Sequence, residues 1–299
     1  PALQRDLGLR DDAKVYFYNH HLAHALPPLF YTEWDNALLV TSDGGGDTVN
    51  HSQRHFANGK LTTLYGGDEC LLVPYQIDSI GQAYAAATKA LGFRMNRHEG
   101  KLTGLSAMGE PVFAERIGKH FHVNQAGRIQ TDFPRNREMF ELLEDIAKGA
   151  RREDVAASIQ HVLEDVMLTS VRTLLKQHPA RHLGLAGGVF ANVRLNRVLA
   201  EKLDLDEIFI FPPMGDEGLP VGGALAYLMK RDGSGMKKIS GTLDRDMGEI
   251  FWAGDNSGVY VNVQDRGSSQ LFFASVAGAV RQLSQGAQML AVSSIAKNG

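Results

Sequence analysis

Two histidines stand four residues apart in the segment NHHLAHA, residues 19–25. On a helix, residues at i and i+4 share a face, so the imidazoles of His20 and His24 can reach one metal ion. The alternative is that these histidines cap or pack a helix and bind nothing. His21 lies on another helical face and is predicted to be structural or to face a substrate. The spacing indicates a metal site that still needs a third ligand.

A third ligand is available in the segment FPPMGDEG, residues 211–218. Asp216 follows a predicted strand and opens a predicted helix, so its carboxylate is expected at the carboxyl edge of a sheet, where open α/β sheets bind ligands. Two histidines and one carboxylate suit iron(II), with manganese and zinc as alternatives. Asp216 could instead serve only as a helix N-cap, a role that Asp fills well.

Two glycine-rich turns, DGGGDT at residues 43–48 and AGGVFAN at residues 186–192, each follow an apolar run. Glycine permits close backbone approach, and successive N–H groups can cradle a phosphate or the sugar of a nucleotide. Neither turn matches the Walker A motif or the dinucleotide fingerprint. One such turn is usually only a turn, but two after strands favour a nucleotide site.

The segment HEGKLTGLSAMG, residues 98–109, combines an acid, a base and glycines. Glu99 could act on a proton and Lys101 could contact a phosphate, whereas the alternative is a solvated loop with an ordinary ion pair. Cys70, the only cysteine, has apolar neighbours and no cation beside it, so we predict a buried, inert thiol. A single cysteine excludes an internal disulfide framework and suits a reducing cytoplasm.

Hydrophobic periodicity predicts an α/β fold built from alternating strands and helices. Strands are predicted at residues 14–19, 37–43, 182–188 and 207–213, with a hairpin over 56–65 that turns at Asn58–Gly59. Helices are predicted from Ser79 to a C-cap at Gly92 and over 151–176, 189–203, 216–229 and 275–286. The mixed, charged segment from 112 to about 150 is predicted to be a surface insertion.

Composition narrows the function classes. The formal charge of −3 gives no global attraction to nucleic acid or to an anionic membrane, and no apolar run reaches the length of a membrane span. Of the 299 residues, 43% are hydrophobic, which is enough for a large core. These values argue against a nucleic-acid-binding or membrane-spanning protein and agree with the cytoplasmic location that the cysteine count suggests.

The order of the motifs is more specific than any one of them. The histidine pair, the glycine turn after Asp43, Glu99-Gly100-Lys101, the turn at 186–192, and Pro212-Pro213-x-Gly215-Asp216 follow one another along the chain. This succession resembles the NodU/CmcH O-carbamoyltransferases, which include the tobramycin and cephalosporin carbamoyltransferases. The resemblance runs from about residue 17 to 228 and more loosely through 276–292.

The resemblance implies an actin-like ATPase fold of the ribonuclease H-like class, apparently truncated at both ends. It implies an iron-type metal on His20, His24 and Asp216, which in turn contacts the phosphates of bound ATP. The nucleotide contacts it implies are the phosphate loop Asp43, Gly44, Gly45 and Gly46 and the adenosine-side residues Gly187, Gly188 and Asn192. The actin-like domain is expected over residues 1–230, including the insertion at 112–150, and 231–299 is expected to extend towards a YrdC-like domain.

The chemistry implied by the resemblance is carbamoyl transfer. In the family, the YrdC-like domain makes carbamoyl-adenylate from carbamoyl phosphate and ATP, and the actin-like domain moves the carbamoyl group to a hydroxyl of a small-molecule or sugar acceptor. The acceptor hydroxyl needs a base, for which His21 and Glu99 are both candidates. The family's opening strand pair and its YrdC-like domain are not found, so we expect a segment of a longer protein, with a homodimer left open. The alternatives are a tRNA threonylcarbamoyl-transferase-like enzyme and a non-catalytic nucleotide-binding module.

Overall fold

The computed structural model describes residues 16–72, 78–228, 247–255, 257–265 and 268–290. Helices α1 to α8 span His20–Tyr31, Ile80–Ala90, Glu99–Leu105, Ala114–Gly118, Asn136–Ala147, Arg152–Gln177, Val193–Lys202 and Leu219–Leu228. Strands β1 to β11 span Asn36–Gly46, Val49–Ala57, Lys60–Tyr65, Phe121–Val123, Ile129–Thr131, His182–Ala186, Glu207–Ile210, Met247–Trp252, Gly258–Asp265, Ser268–Ser275 and Val280–Gln282. Short 3-10 turns cover Asp68–Leu72, Ser106–Met108, Gly188–Ala191 and Asp216–Gly218.

The central sheet has five strands in the order β3-β2-β1-β6-β7. Strands β1, β2 and β3 form an antiparallel meander, while β6 and β7 add parallel to the other side of β1. Counted within this sheet, the order is 3-2-1-4-5, which is the arrangement of the ribonuclease H-like sheet in actin-like ATPase domains. The predicted fold class is therefore confirmed.

The hairpin between β2 and β3 turns where the sequence predicts it. Ala57 pairs with Lys60, and the two residues between them, Asn58 and Gly59, have φ angles of 51° and 70°. Positive φ at both central positions defines the turn type whose twist matches a two-residue hairpin, and Asn-Gly is the dipeptide that adopts it most readily.

Helices cover both faces of the sheet, and successive side chains of β1 point alternately into two hydrophobic cores. Leu38 and Val40 face the main core under α6, whereas Ala37 and Leu39 face a smaller core under α1 and α8. The predicted stripe of α6 is buried in the main core and consists of Val155, Ile159, Val162, Val166, Val171 and Leu174. The result is a three-layer α/β/α unit whose sheet edge carries the loops described below.

Three sequence expectations are corrected. The predicted strand at 14–19 lies partly outside the described residues, and Tyr16–Asn19 is not in a strand. The segment 112–150 is not a surface feature, because its Ile117, Ile129 and Leu143 are buried in the main core. Whether it is an insertion relative to the family remains a prediction.

The predicted helix at 275–286 is also wrong. Residues 268–275 and 280–282 are strands β10 and β11, joined by a turn in which Gly278 has φ of 94°. These strands belong to a four-stranded antiparallel sheet of order β11-β10-β9-β8, whose Val259 and Ala274 pack against Phe30 of α1. A short apolar run cannot distinguish a strand from a helix by period alone, and the glycine marks the turn. No helix in the described part of the chain is long and apolar enough to cross a bilayer.

Candidate metal and nucleotide site

The first turn of α1 is fixed at the carboxyl end of β1. Asn19 is its N-cap, since the Asn19 Oδ1 accepts a hydrogen bond from the N–H of Leu22 at 2.9 Å. The N–H of His20 donates to the Oδ2 of Asp47, which follows β1. Two side-chain oxygens thus satisfy donors that every helix start leaves open.

Four side chains from three segments converge beside this turn. The Nε2 atoms of His20 and His24 lie 3.1 Å apart, and the His24 Nε2 lies 3.2 Å from the Asp43 Oδ2. The Asp216 Oδ1 lies 3.6 Å from the His20 Nε2 and 3.4 Å from the His24 Nε2. All four ligand atoms lie within 4.8 Å of one another. The predicted three residues meet, and Asp43, which the sequence assigned only to the nucleotide, joins them.

The donor set fits a divalent metal ion. Metal–nitrogen and metal–oxygen bonds of about 2.1 Å place neighbouring ligand atoms about 3.0–3.4 Å apart, close to the separations found here. Two imidazoles and two carboxylates suit iron(II), manganese or zinc better than calcium, which prefers oxygen alone. The Asp216 side chain is 71% exposed, so one side of the cluster is open to solvent and to a substrate.

The protonation states of the cluster also favour metal binding. Burial alone would raise the pKa of Asp43, but hydrogen bonds from His24 and from the amides of Gly44 and Gly188 outweigh it and lower the pKa to about 2. Burial and the neighbouring His24 lower the pKa of His20. A carboxylate and a neutral imidazole are the forms that ligate metals.

The first glycine turn makes room for the cluster. A Cβ on Gly46 would lie 2.3 Å from two carbons of the His20 ring, so only glycine allows this ring position. The carbonyl of Gly44 accepts hydrogen bonds from Asn50 Nδ2 at 2.7 Å and from Gln82 Nε2 at 3.0 Å. These contacts hold Gly44, Gly45 and Gly46 beside the metal ligands.

The second glycine turn packs directly against the first. Gly187 has φ of 98°, and a Cβ there would lie 2.2 Å from the carbonyl oxygen of Ser42. Its N–H donates to the carbonyl of Met214, and the N–H of Gly188 donates to the Asp43 Oδ2 at 3.2 Å. Asp43 therefore joins the two turns and the histidine pair. The two turns therefore lie side by side, and the nucleotide site that they are predicted to share stays a prediction.

Asn192 does not present its amide to that site. Its Oδ1 accepts hydrogen bonds from the N–H of Leu195 and from the Nε2 of Gln160, and its Nδ2 donates to the Gln160 Oε1 and the Thr103 Oγ1. The side chain is buried and caps α7. Because its polar atoms are satisfied internally, the geometry replaces the predicted adenosine contact with a structural role.

The three predicted catalytic residues lie outside the metal cluster. His21 is fully buried, with its Nδ1 2.8 Å from the Thr41 Oγ1 and its Nε2 3.2 Å from the Val49 carbonyl, and burial lowers its pKa to about 3. With both ring nitrogens occupied, His21 cannot face a substrate in this arrangement. Glu99 accepts a hydrogen bond from the N–H of Asn96 at the start of α3, and Lys101 is exposed on the same helix.

Cys70 matches its prediction. Its side chain is buried and is a free thiol. Burial is the main cause that raises the pKa of this thiol. A raised pKa leaves little thiolate at neutral pH, so the thiol is a poor nucleophile.

Comparison with known proteins identifies the family to which the chain belongs. Residues 2–225 match the family model described as Carbamoyltransferase N-terminus. The nodulation protein NolNO of Sinorhizobium fredii is 30% identical over 223 residues, which is 72% of this chain and 31% of that protein. The uncharacterized protein MJ1058 of Methanocaldococcus jannaschii is 29% identical over 237 residues, or 75% of this chain and 39% of that protein.

A more distant similarity joins the chain to a second group. The tRNA N6-adenosine threonylcarbamoyltransferase of Persephonella marina is 28% identical over 207 residues, covering 65% of this chain and 54% of that enzyme. The chain spans only 39% of the length of MJ1058 and 31% of the length of NolNO.

Proposed function

The chain belongs to the carbamoyltransferase family, to whose N-terminal region it corresponds, and we propose that it is the metal- and nucleotide-binding part of an O-carbamoyltransferase. In this proposal the donor is carbamoyl-adenylate derived from carbamoyl phosphate and ATP, and the acceptor is a hydroxyl of a small molecule or sugar. The observation that carries it is the convergence of His20, His24, Asp43 and Asp216 beside two glycine turns.

The proposed reaction needs charge stabilisation more than covalent help from the protein. The acceptor oxygen bonds to the carbamoyl carbon, the bond from that carbon to the adenylate oxygen breaks, and AMP leaves with the electron pair. A bound divalent metal would stabilise the negative charge that builds on the departing phosphate. Asp43 and His24 lie within hydrogen-bond distance of each other, the absence of a side chain at Gly46 leaves room for the His20 ring, and Gly187 allows the second turn to pack against Ser42.

The acceptor side of the proposal concerns the catalytic base and the residues of α3. His21 is removed as a base by its two internal hydrogen bonds, which leaves Glu99 as the proposed base. Lys101 is proposed to contact a phosphate from the exposed face of α3. Thr103 of the same helix contacts Asn192, so α3 does border the second glycine turn.

Metal content and nucleotide affinity test the proposal together. We expect the wild-type chain, purified without chelator, to carry about one divalent metal ion and to bind ATP more tightly with the metal than without it. His24→Ala should lose the metal, because it removes the ligand nearest to the other three. His122→Ala is the matched control, since His122 is exposed and, within the described part of the chain, forms its ion pair with Asp132. Equal metal content in wild type and His24→Ala, by elemental analysis, would exclude His24 from the site.

A tRNA threonylcarbamoyl-transferase-like function is the second candidate, and the similarity to the Persephonella marina enzyme favours it. The two functions differ in the acceptor, because a tRNA substrate requires a basic surface and gives salt-dependent binding. The net charge of −3 argues against such a surface. Tight, salt-sensitive tRNA binding in a mobility-shift assay would favour the second candidate over the first.

A further inference from the structure

Arg54 is a fully buried arginine on β2, with a relative exposure of 1%. Among the described residues, no carboxylate lies within ion-pair distance of its guanidinium. Burial lowers its pKa to about 10, so the side chain remains a cation at neutral pH. The carboxylates of Glu69 and Asp68 act in the opposite direction and raise the pKa, but neither forms an ion pair with Arg54. Burying a charge without a counter-ion in direct contact costs roughly several kcal/mol, and such groups are rarely kept for stability alone.

The guanidinium is surrounded by neutral oxygens instead. Its NH1 donates to the carbonyl of His21 at 3.2 Å and to the hydroxyl of Ser52. Its NH2 donates to the Oδ1 of Asn19 and to the carbonyl of Gly66, both at 3.2 Å. Two of these four acceptors belong to the start of α1, and a third follows β3. Arg54 therefore ties the first turn of α1 to the antiparallel side of the sheet.

The turn of α1 that carries His24 lacks part of its usual backbone hydrogen bonding. Pro27 and Pro28 lie inside α1, and proline has no N–H to donate four residues back. The carbonyls of Ala23 and His24 therefore lack their usual helical partners. The carbonyl of Ala23 faces Gly222 of α8, where an added Cβ would lie only 1.7 Å from its oxygen. Two backbone hydrogen bonds beside the proposed ligand His24 are thus missing from α1, so the segment relies more on contacts from outside the helix.

We propose that Arg54 is a positioning residue for the metal cluster, holding the first turn of α1 so that His20 and His24 keep the separation that one metal ion requires. The inference rests on the proposed metal site, because it explains how the ligands of that site are held in position. Arg54 acts through Asn19 and the His21 carbonyl, and it touches neither the metal ligands nor a substrate. Groups that orient metal ligands in this indirect way typically change metal affinity by about 10- to 100-fold when removed.

The experiment compares metal affinity with stability in Arg54→Met and Arg54→Lys. Metal-free protein is titrated with Mn²⁺ or Zn²⁺ by calorimetry, and its thermal unfolding is measured without metal. We expect Arg54→Met to weaken metal binding about 10- to 100-fold. Arg54→Lys should give an intermediate loss, because an ammonium group cannot span all four acceptors as a guanidinium does. The visible spectrum of bound Co²⁺ should also change, since it reports the ligand geometry.

Arg128→Met is the matched control. Arg128 is a half-buried arginine that pairs with Asp78 and lies over the Tyr65 ring, with no contact to α1 among the described residues. This variant should lower the melting temperature but leave metal affinity within about twofold, because its ion pair and its ring contact do not involve α1.

The outcomes separate this inference from the metal site itself. Wild-type protein that binds no divalent metal would overturn both. Wild-type protein that binds metal, with unchanged affinity and Co²⁺ spectrum in both Arg54 variants, would overturn the positioning role alone. If Arg54→Met does not fold, Arg54→Lys and Asn19→Ala decide the question, since each breaks part of the same tether. Weaker metal binding in these variants with Arg128→Met unaffected would support it.

Discussion

The two glycine turns look alike in sequence but contribute in different ways. The glycine turn at the end of β1 brings a metal-ligand candidate, Asp43, and leaves space for the His20 ring over Gly46. The turn after β6 contributes backbone: Gly187 allows it to pack against Ser42, and the N–H of Gly188 donates to Asp43. Its one large polar side chain, Asn192, is turned inwards. A glycine-rich turn after a strand thus indicates close approach, but not whether a ligand or another part of the protein approaches.

The sharpest test of the second turn is Gly187→Ala. The substitution meets both a positive φ of 98° and a contact of 2.2 Å with the Ser42 carbonyl, so we expect a loss of about 2–4 kcal/mol in unfolding free energy. Gly149→Ala is the control, because Gly149 also has positive φ, 72°, but an added Cβ there meets nothing within 4 Å. Denaturant titration of both variants separates the contact from the backbone strain. Equal losses would mean that close packing of the two turns is unimportant.

The corresponding test of the first turn is Asp43→Asn, which keeps the shape of the side chain and removes its charge. We expect metal affinity to fall about 100-fold, because the carboxylate 3.2 Å from the His24 Nε2 becomes neutral and Gly188 loses a charged acceptor. Calorimetric titration of metal-free protein measures the change. Asp132→Asn, at an exposed carboxylate paired with His122, should leave the affinity unaltered. Unchanged affinity in Asp43→Asn would return Asp43 to the nucleotide role that its sequence position suggested.

The smallest expected effect distinguishes the two roles considered for Asn192. Asn192→Ala should lower stability by about 1–2 kcal/mol through loss of the α7 cap and of the bonds to Gln160 and Thr103. ATP affinity should stay within about twofold, because a capping residue contributes no direct contact. Asn192→Asp should recover the cap but not the donor bonds, and so fall between the two in stability. A large loss of ATP affinity with normal stability would restore the adenosine contact.

The spacing of residues along the sequence predicted the features that depend on helical periodicity or on a tight turn. The four-residue step between His20 and His24 placed both rings on one helical face, and the Asn58–Gly59 dipeptide formed its hairpin turn. The apolar stripe of α6 was predicted for the same reason, since a helical period of 3.6 residues is written directly in the sequence. Where the period was short or interrupted, as in residues 275–286, the prediction was wrong.

What the sequence by itself determined is therefore which residues can share a face, a cap or a tight turn. Only the tertiary structure decided which polar atoms remain available for a ligand. His21 lost both ring nitrogens to Thr41 and Val49, 20 and 28 residues away, while Asn192 lost its amide to Gln160, 32 residues away. Asp43 joined the histidines because β1 ends beside α1 in the folded sheet. The physical reason is that hydrogen-bond partners and burial come from distant segments, whose approach no local pattern encodes.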